Sequence, residues 1–145
     1  MSLFSLMSVS ASGMSAQRAR AEVLVENMAN SETTRTPGGG PYRRKDVVFH
    51  SAAQVSPFSS VFQQALGPHV TGVEVSEVVE DTREPEKRYM PGHPDADASG
   101  YVAFPRVNPA EDMVDLMNAS RQFQANVSAM TTTKEMIQRS LDLMR

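Results

Sequence analysis

Counting alternately three and four residues from Met113 picks out Met113, Leu116, Ser120, Phe123, Val127, Met130, Lys134, Ile137, Leu141 and Met144. Eight of these ten are apolar, the repeat that keeps one side of a helix turned toward a partner helix. The start of the segment is equally well marked. Asn108 can cap, Pro109 fits the first helical position, and Glu111, Asp112 and Asp115 favour the positive end of the helix dipole. Arg139 and Arg145 suit the negative end, so the pattern predicts one helix over residues 108–145. At about 1.5 Å per residue it would run roughly 55 Å. A compact chain of this length is only about 40 Å across, so the helix is expected to project from any globule.

A second repeat opens the chain. Phe4, Met7, Ala11, Met14, Arg18, Ala21, Val25 and Met28 follow the same spacing with only Arg18 breaking it, which predicts a helix over Met1 to Asn30. Two amphipathic ends can pair as an antiparallel or crossed hairpin if the middle loops out. The N-terminal repeat is thin, however: it uses small Ala, several Ser lie in its first half, and Gly13 costs about 1 kcal/mol against Ala inside a helix. Such a segment is expected to fray until a partner covers it. Nine of the ten Met lie in these two ends, where an unbranched, polarisable side chain suits either core filling or packing against unlike neighbours.

Between the helices, the run Thr36-Pro-Gly-Gly-Gly-Pro41 is a helix stop and a connection. Asp46 to His50, Val70 to Asp81, Lys87 to Met90 and Tyr101 to Phe104 read as short strands, and Val55 to Leu66 fits a loop or a short helix equally well. The expected fold is mainly α with a small β unit. Residues 1–35 and 108–145 form a coiled-coil-like helical hairpin, and residues 36–107 form a linker and an inserted β-rich domain with long loops. From Gln122 to Thr133 the last helix carries no charge, so the side away from its seam is either the weakly polar outside of a two-helix coil or a second packed face.

Composition narrows the chemistry. The chain has 145 residues, 21% of them charged, with a net charge of −3, and lacks Cys, so it makes no disulfide and no thiolate metal site. No run of apolar residues is long enough for a transmembrane helix. The start lacks a basic n-region and holds six Ser in fifteen residues, so classical export is not expected. Arg43-Arg44-Lys45 has no interleaved aromatics and reads as a solvated turn rather than a nucleic-acid patch. Asp95-Ala-Asp97-Ala-Ser99-Gly100 copies the first half of a calcium loop, but Arg106 stands where the closing Glu belongs, so a tight polar turn is expected. His93 is a lone imidazole in a Pro-rich loop, while His50 and His69 are isolated. No nucleophile elbow or phosphate-binding glycine loop occurs, and no catalytic residue, cofactor, metal or small-molecule substrate is expected.

Three stretches carry a resemblance. Leu24-Val-Glu-Asn27-Met28-Ala-Asn30-Ser-Glu-Thr33-Thr34 contains an Asn-x-Ala-Asn-x-x-Thr run closing the first helix. Physically it is a helix end, with Asn30 suited to a left-handed conformation and Ser31, Thr33 and Thr34 able to bond to freed backbone groups nearby. Tyr89 to Val102 leads through Val107-Asn108-Pro109 into the last helix, which carries Ser120-Arg-Gln-Phe123-Gln124-Ala-Asn126-Val127. Together they resemble the bacterial flagellar rod and hook family, in family order and over about half the chain; residues 47–86 match nothing quotable. The resemblance implies a non-enzymatic subunit of the basal-body rod, forming part of the drive shaft and its channel. It would be exported unfolded by the flagellar type III apparatus and polymerise in the periplasmic space without inserting into a membrane. Its partners would be copies of itself, other rod subunits and basal-body proteins, with no nucleic acid. Assembly would run through Met7, Met14, Leu24, Met28, Asn30, Met113, Leu116, Phe123, Gln124, Asn126, Val127, Met130, Ile137 and Leu141. A soluble export adaptor whose terminal helices fold on one partner is the alternative.

Overall fold

A computed structural model describes residues 3–52 and 71–143. Helix α1 spans Leu3–Ala29 and helix α2 spans Pro109–Asp142, with strands β1 (Lys45–Ala52), β2 (Gly72–Glu80), β3 (Glu86–Tyr89) and β4 (Tyr101–Phe104) between them. The molecule is thus mainly helical with small sheets, as the periodicities predict. Residues 55–66, readable as loop or helix, lie outside the described residues.

The local signals at α2 act as expected. The Asn108 side-chain oxygen accepts the Ala110 N–H at 3.2 Å, and the Asp112 N–H donates to the Asn108 carbonyl at 3.0 Å. The end of α1 works differently from expectation. No non-glycine residue among those described has positive φ, so Asn30 is not left-handed. Its side-chain NH2 instead donates at 2.9 Å to the Glu26 carbonyl, which also accepts the Asn30 backbone N–H at 3.1 Å. Thr33 bonds the Asn30 side chain as a local partner, at 3.1 Å, whereas Thr34 reaches across 61 positions to Asp95 at 2.8 Å.

Among the described residues two sheets form, one from β1 and β2 and the other from β3 and β4. The second is antiparallel with Glu86 opposite Phe104 and Tyr89 opposite Tyr101. Val102 is fully buried and Phe104 nearly so, and the Arg88 guanidinium lies over the Phe104 ring, 4.9 Å from its centroid. The loop joining these strands is the polar turn the sequence predicts. Asp97 Oδ1 accepts the N–H groups of Ser99 and Tyr101 at 2.8 and 2.9 Å, and the Gly100 N–H returns to the Asp97 carbonyl. Gly100 sits at φ 79°, where a side chain would be strained and would also strike the Tyr89 ring. His93 accepts the Asp95 N–H on Nδ1, so its ring orders the same loop.

The chain divides into two compact units, one of Met1–Ala19, Phe49–Ser76 and Ala119–Arg145, the other of Arg20–Val48 and Glu77–Asn118. In the first, Gly13 faces Asn126 so closely that an added Cβ would lie 3.0 Å from its Nδ2, and Ser12 Oγ accepts the Val73 N–H at 3.1 Å. The glycine that weakens α1 as a helix is therefore a point of close contact with α2. In the second unit, Arg20 pairs with Asp115 at 3.3 Å.

The packed stripe of each helix is not the predicted seam. On α2 the least exposed positions are Asp112, Asp115, Leu116, Ala119, Asn126, Met130, Thr133 and Ile137. They share Leu116, Met130 and Ile137 with the apolar repeat but replace Met113, Ser120, Val127 and Lys134 by the residue before each. On α1 the buried positions are Ala16, Leu24 and Asn27 rather than Phe4 and Val25. The heptad count weighs side-chain volume, whereas small residues are among those packed here: Gly13 lies against Asn126, and Ala16 and Ala119 are buried.

Candidate assembly surface

That one-residue turn leaves large apolar groups outside. On α2, Met113 is 57% exposed and Val127 41%, and Val114, Met117, Phe123, Met136 and Leu141 are exposed with them. On α1, Phe4 is 75% exposed and Val25 is uncovered. Isolated surface apolar residues are ordinary, whereas larger exposed apolar patches are commonly interaction sites. Of the residues expected to carry assembly, Leu24 is buried in this chain's own core. Met7, Met14, Met28, Asn30, Leu116, Asn126, Met130 and Ile137 are half-buried, and Met113, Phe123, Gln124, Val127 and Leu141 face outward. Only the last group is free for a neighbour without any rearrangement.

A buried cluster that sequence reasoning passed over joins the end of α1 to the start of β1. Asn27 is 0% exposed and every polar atom of its amide is used. Its Oδ1 accepts Tyr42 Oη–H and the Lys45 N–H, each at 2.9 Å, and its Nδ2 donates to the Lys45 carbonyl at 2.8 Å. The side chain thus stands in for a missing strand and pins the start of β1 to the end of α1. The available signal was its place in the Asn27-Met-Ala-Asn30 run, of which only Asn30 had been singled out.

Arg43-Arg44-Lys45 is not a solvated turn. Arg43 donates to the Asp81 carbonyl at 2.8 Å, Arg44 to Asp112 Oδ1 at 2.8 Å, and Lys45 to Glu26 at 2.6 Å. Three consecutive cations thereby tie β1 to the end of β2, the first turn of α2 and the last turn of α1. Burial alone would lower the Arg44 pKa, but Asp46, Asp112 and the hydrogen bond to Asp112 hold it above its ordinary value. Sequence gave no partner for these charges because the partners lie up to 68 positions away.

Tyr42 makes the cluster sensitive to alkali. Burial, followed by the carboxylates of Glu26, Glu80 and Asp112, pushes its pKa up from 10.0 to about 12. A raised acid pKa means that the folded chain keeps a proton the unfolded chain releases. The hydroxyl's contribution is therefore whole below pH 10.0 and lost as pH rises toward about 12. We expect stability measured by urea unfolding to fall across that interval, and Tyr42→Phe to flatten the fall. A Phe variant with the parent's alkaline profile would assign the loss to other groups.

Nothing in this arrangement resembles a reaction centre. Among the described residues no group of three His, Cys, Asp or Glu side chains is placed to hold a metal ion, and no helix is long and apolar enough to cross a membrane.

Comparison with known proteins agrees with a structural surface. The family model described as flagellar basal body rod FlgEFG protein C-terminal matches residues 98–143, which take in β4 and all of α2. Over its whole length the chain is similar to proteins named flagellar basal-body rod protein FlgC. The Bacillus subtilis protein is 40% identical over 99% of this chain and 99% of its own. That of Yersinia enterocolitica is 38% identical over 99% and 98%, and that of Borreliella burgdorferi 36% over 100% and 99%. With both terminal helices and the strands between them inside that similarity, the chain belongs to the flagellar basal-body rod protein FlgC family.

Proposed function

We propose that this protein is a structural, non-enzymatic subunit of the flagellar basal-body rod, polymerising through its terminal helices with copies of itself and with other rod subunits. The observation that carries the reading is the row of uncovered apolar side chains on α2, in a chain related over its full length to rod proteins. A drive shaft needs many inter-subunit contacts and no chemistry; an outward apolar row on a long helix supplies them. Within each unit α1 touches α2, at Gly13 with Asn126 and at Arg20 with Asp115. Each contact supports pairing of residues 1–35 with residues 108–145 as a helical hairpin, with residues 36–107 as a linker and inserted β-rich part. Delivery through the flagellar type III apparatus and assembly in the periplasm fit a chain free of cysteine.

Val127→Glu and Ser128→Glu test the surface. Both positions are exposed, so the melting temperature of the isolated chain should stay within about 2 °C of the parent. A charge desolvated between subunits should prevent rod assembly and abolish swimming. Swimming cells with complete basal bodies would show that this side of α2 meets solvent or a wet channel, and the reading of α2 as an assembly face would fail. An export adaptor would instead leave the purified protein monomeric in sedimentation at every concentration until its partner is added.

A further inference from the structure

One surface feature has no part in the helix contacts. A shallow cleft is lined by Tyr42, Arg43, Arg44, Asp81, Arg83 and Arg106, together with two prolines, all within one compact unit. Four arginines therefore face one opening in a chain whose net charge is −3. The only lining carboxylate is already taken. Arg83 grips Asp81 with Nε and Nη2 at 2.6–2.9 Å, and those hydrogen bonds hold its pKa down at about 2. Arg44 is committed to Asp112, yet its Nε is buried without a hydrogen-bond partner. Arg43 spends its donor on a backbone carbonyl, and neither it nor the exposed Arg106 has a carboxylate within salt-bridge distance among the described residues. Guanidinium groups stay charged at all physiological pH, and their forked N–H groups match a carboxylate.

The complementary group is on the same chain. Glu77 stands exposed on β2 and forms no salt bridge among the described residues. Among the described residues β2 pairs only with β1. We propose that the arginine cleft is a socket for Glu77 of β2 from a second copy of this chain. Socket and plug are different surfaces, so the contact does not close on itself and repeats from copy to copy, as a helical shaft requires. This proposal rests on the reading of the protein as a polymerising subunit, and it adds a charged contact to the apolar one on α2.

The test is self-association of the purified full-length chain by sedimentation velocity. The parent should associate less at about 0.5 M salt, where charges are screened beyond about 4 Å. Arg106→Glu and Glu77→Arg should each weaken association about tenfold at low salt without moving the melting temperature. A one-to-one mixture of the two, and the doubly reversed chain, should return to within about threefold of the parent, since each restores an opposite pair. A parent without salt-sensitive association, single variants that associate like it, or a mixture no better than its components would overturn the proposal. Single variants that associate normally but leave cells non-swimming would place a different subunit in the cleft, overturning the assignment to a second copy. None of these failures touches the α2 experiment, which tests rod function through another surface.

Discussion

Asn27→Ala is expected to destabilise the chain by about 3 kcal/mol, because it strips the partners from three buried groups at once. Tyr42 Oη–H, the Lys45 N–H and the Lys45 carbonyl would all remain in a site that water does not reach, since Asn27 is 0% exposed. For a chain of this size that corresponds to a fall of roughly 10 °C in melting temperature. The start of β1 should loosen first, so its amides should lose hydrogen-exchange protection before those of α2. Asn27→Asp retains both acceptor contacts and loses only the donor, but it buries a charge near Glu26 and so should be no milder. An Ala variant that melts within about 2 °C of the parent would mean that β1 is held by its neighbours in the sheet and that the amide is incidental. Because Asn27 lies away from the outward row on α2, the same variant should still enter rods at low temperature, in contrast with Val127→Glu.

The second large effect is expected at Asp112, the first-turn carboxylate of α2, which is 1% exposed. Its Oδ1 holds Arg44, while its Oδ2 is buried with no partner, so the pair is incompletely satisfied even in the parent. Removing one member of a buried pair generally costs about 3–5 kcal/mol, and here the loss should be smaller, about 2–3 kcal/mol. Arg44 keeps Asp46 at 3.5 Å and is 22% exposed, so the orphaned guanidinium is only partly desolvated. Urea unfolding of Asp112→Ala measures the loss. Replacing both partners with apolar residues, Arg44→Met with Asp112→Leu, should recover much of it, because a fitted apolar pair carries no desolvation penalty. A double variant as weak as the single would show that the charges serve to orient α2 on β1 rather than merely to compensate each other.

These two sites also mark where the sequence is readable and where it is not. Helix ends and strand positions were legible because their causes are local: Asn108 and Pro109 start α2 within four residues, and the Tyr101 to Phe104 strand appeared where its alternation put it. The turn at Asp97 was legible for the same reason, its donors lying two and four positions on. The family could be recognised because its runs of Asn, Thr and Pro sit at those same local boundaries. What tertiary structure decided is the pairing. Arg44 finds Asp112 and Thr34 finds Asp95 across more than sixty positions, and no spacing rule predicts such partners. It also decided which side of each helix turns inward. Periodicity finds the largest apolar stripe, but packing took up small residues as well, with Gly13 against Asn126 and Ala16 and Ala119 buried, while Met113 and Val127 were left outside. Part of the stripe that looks most like a core from sequence, Met113 and Val127 with it, is therefore left uncovered in the single chain.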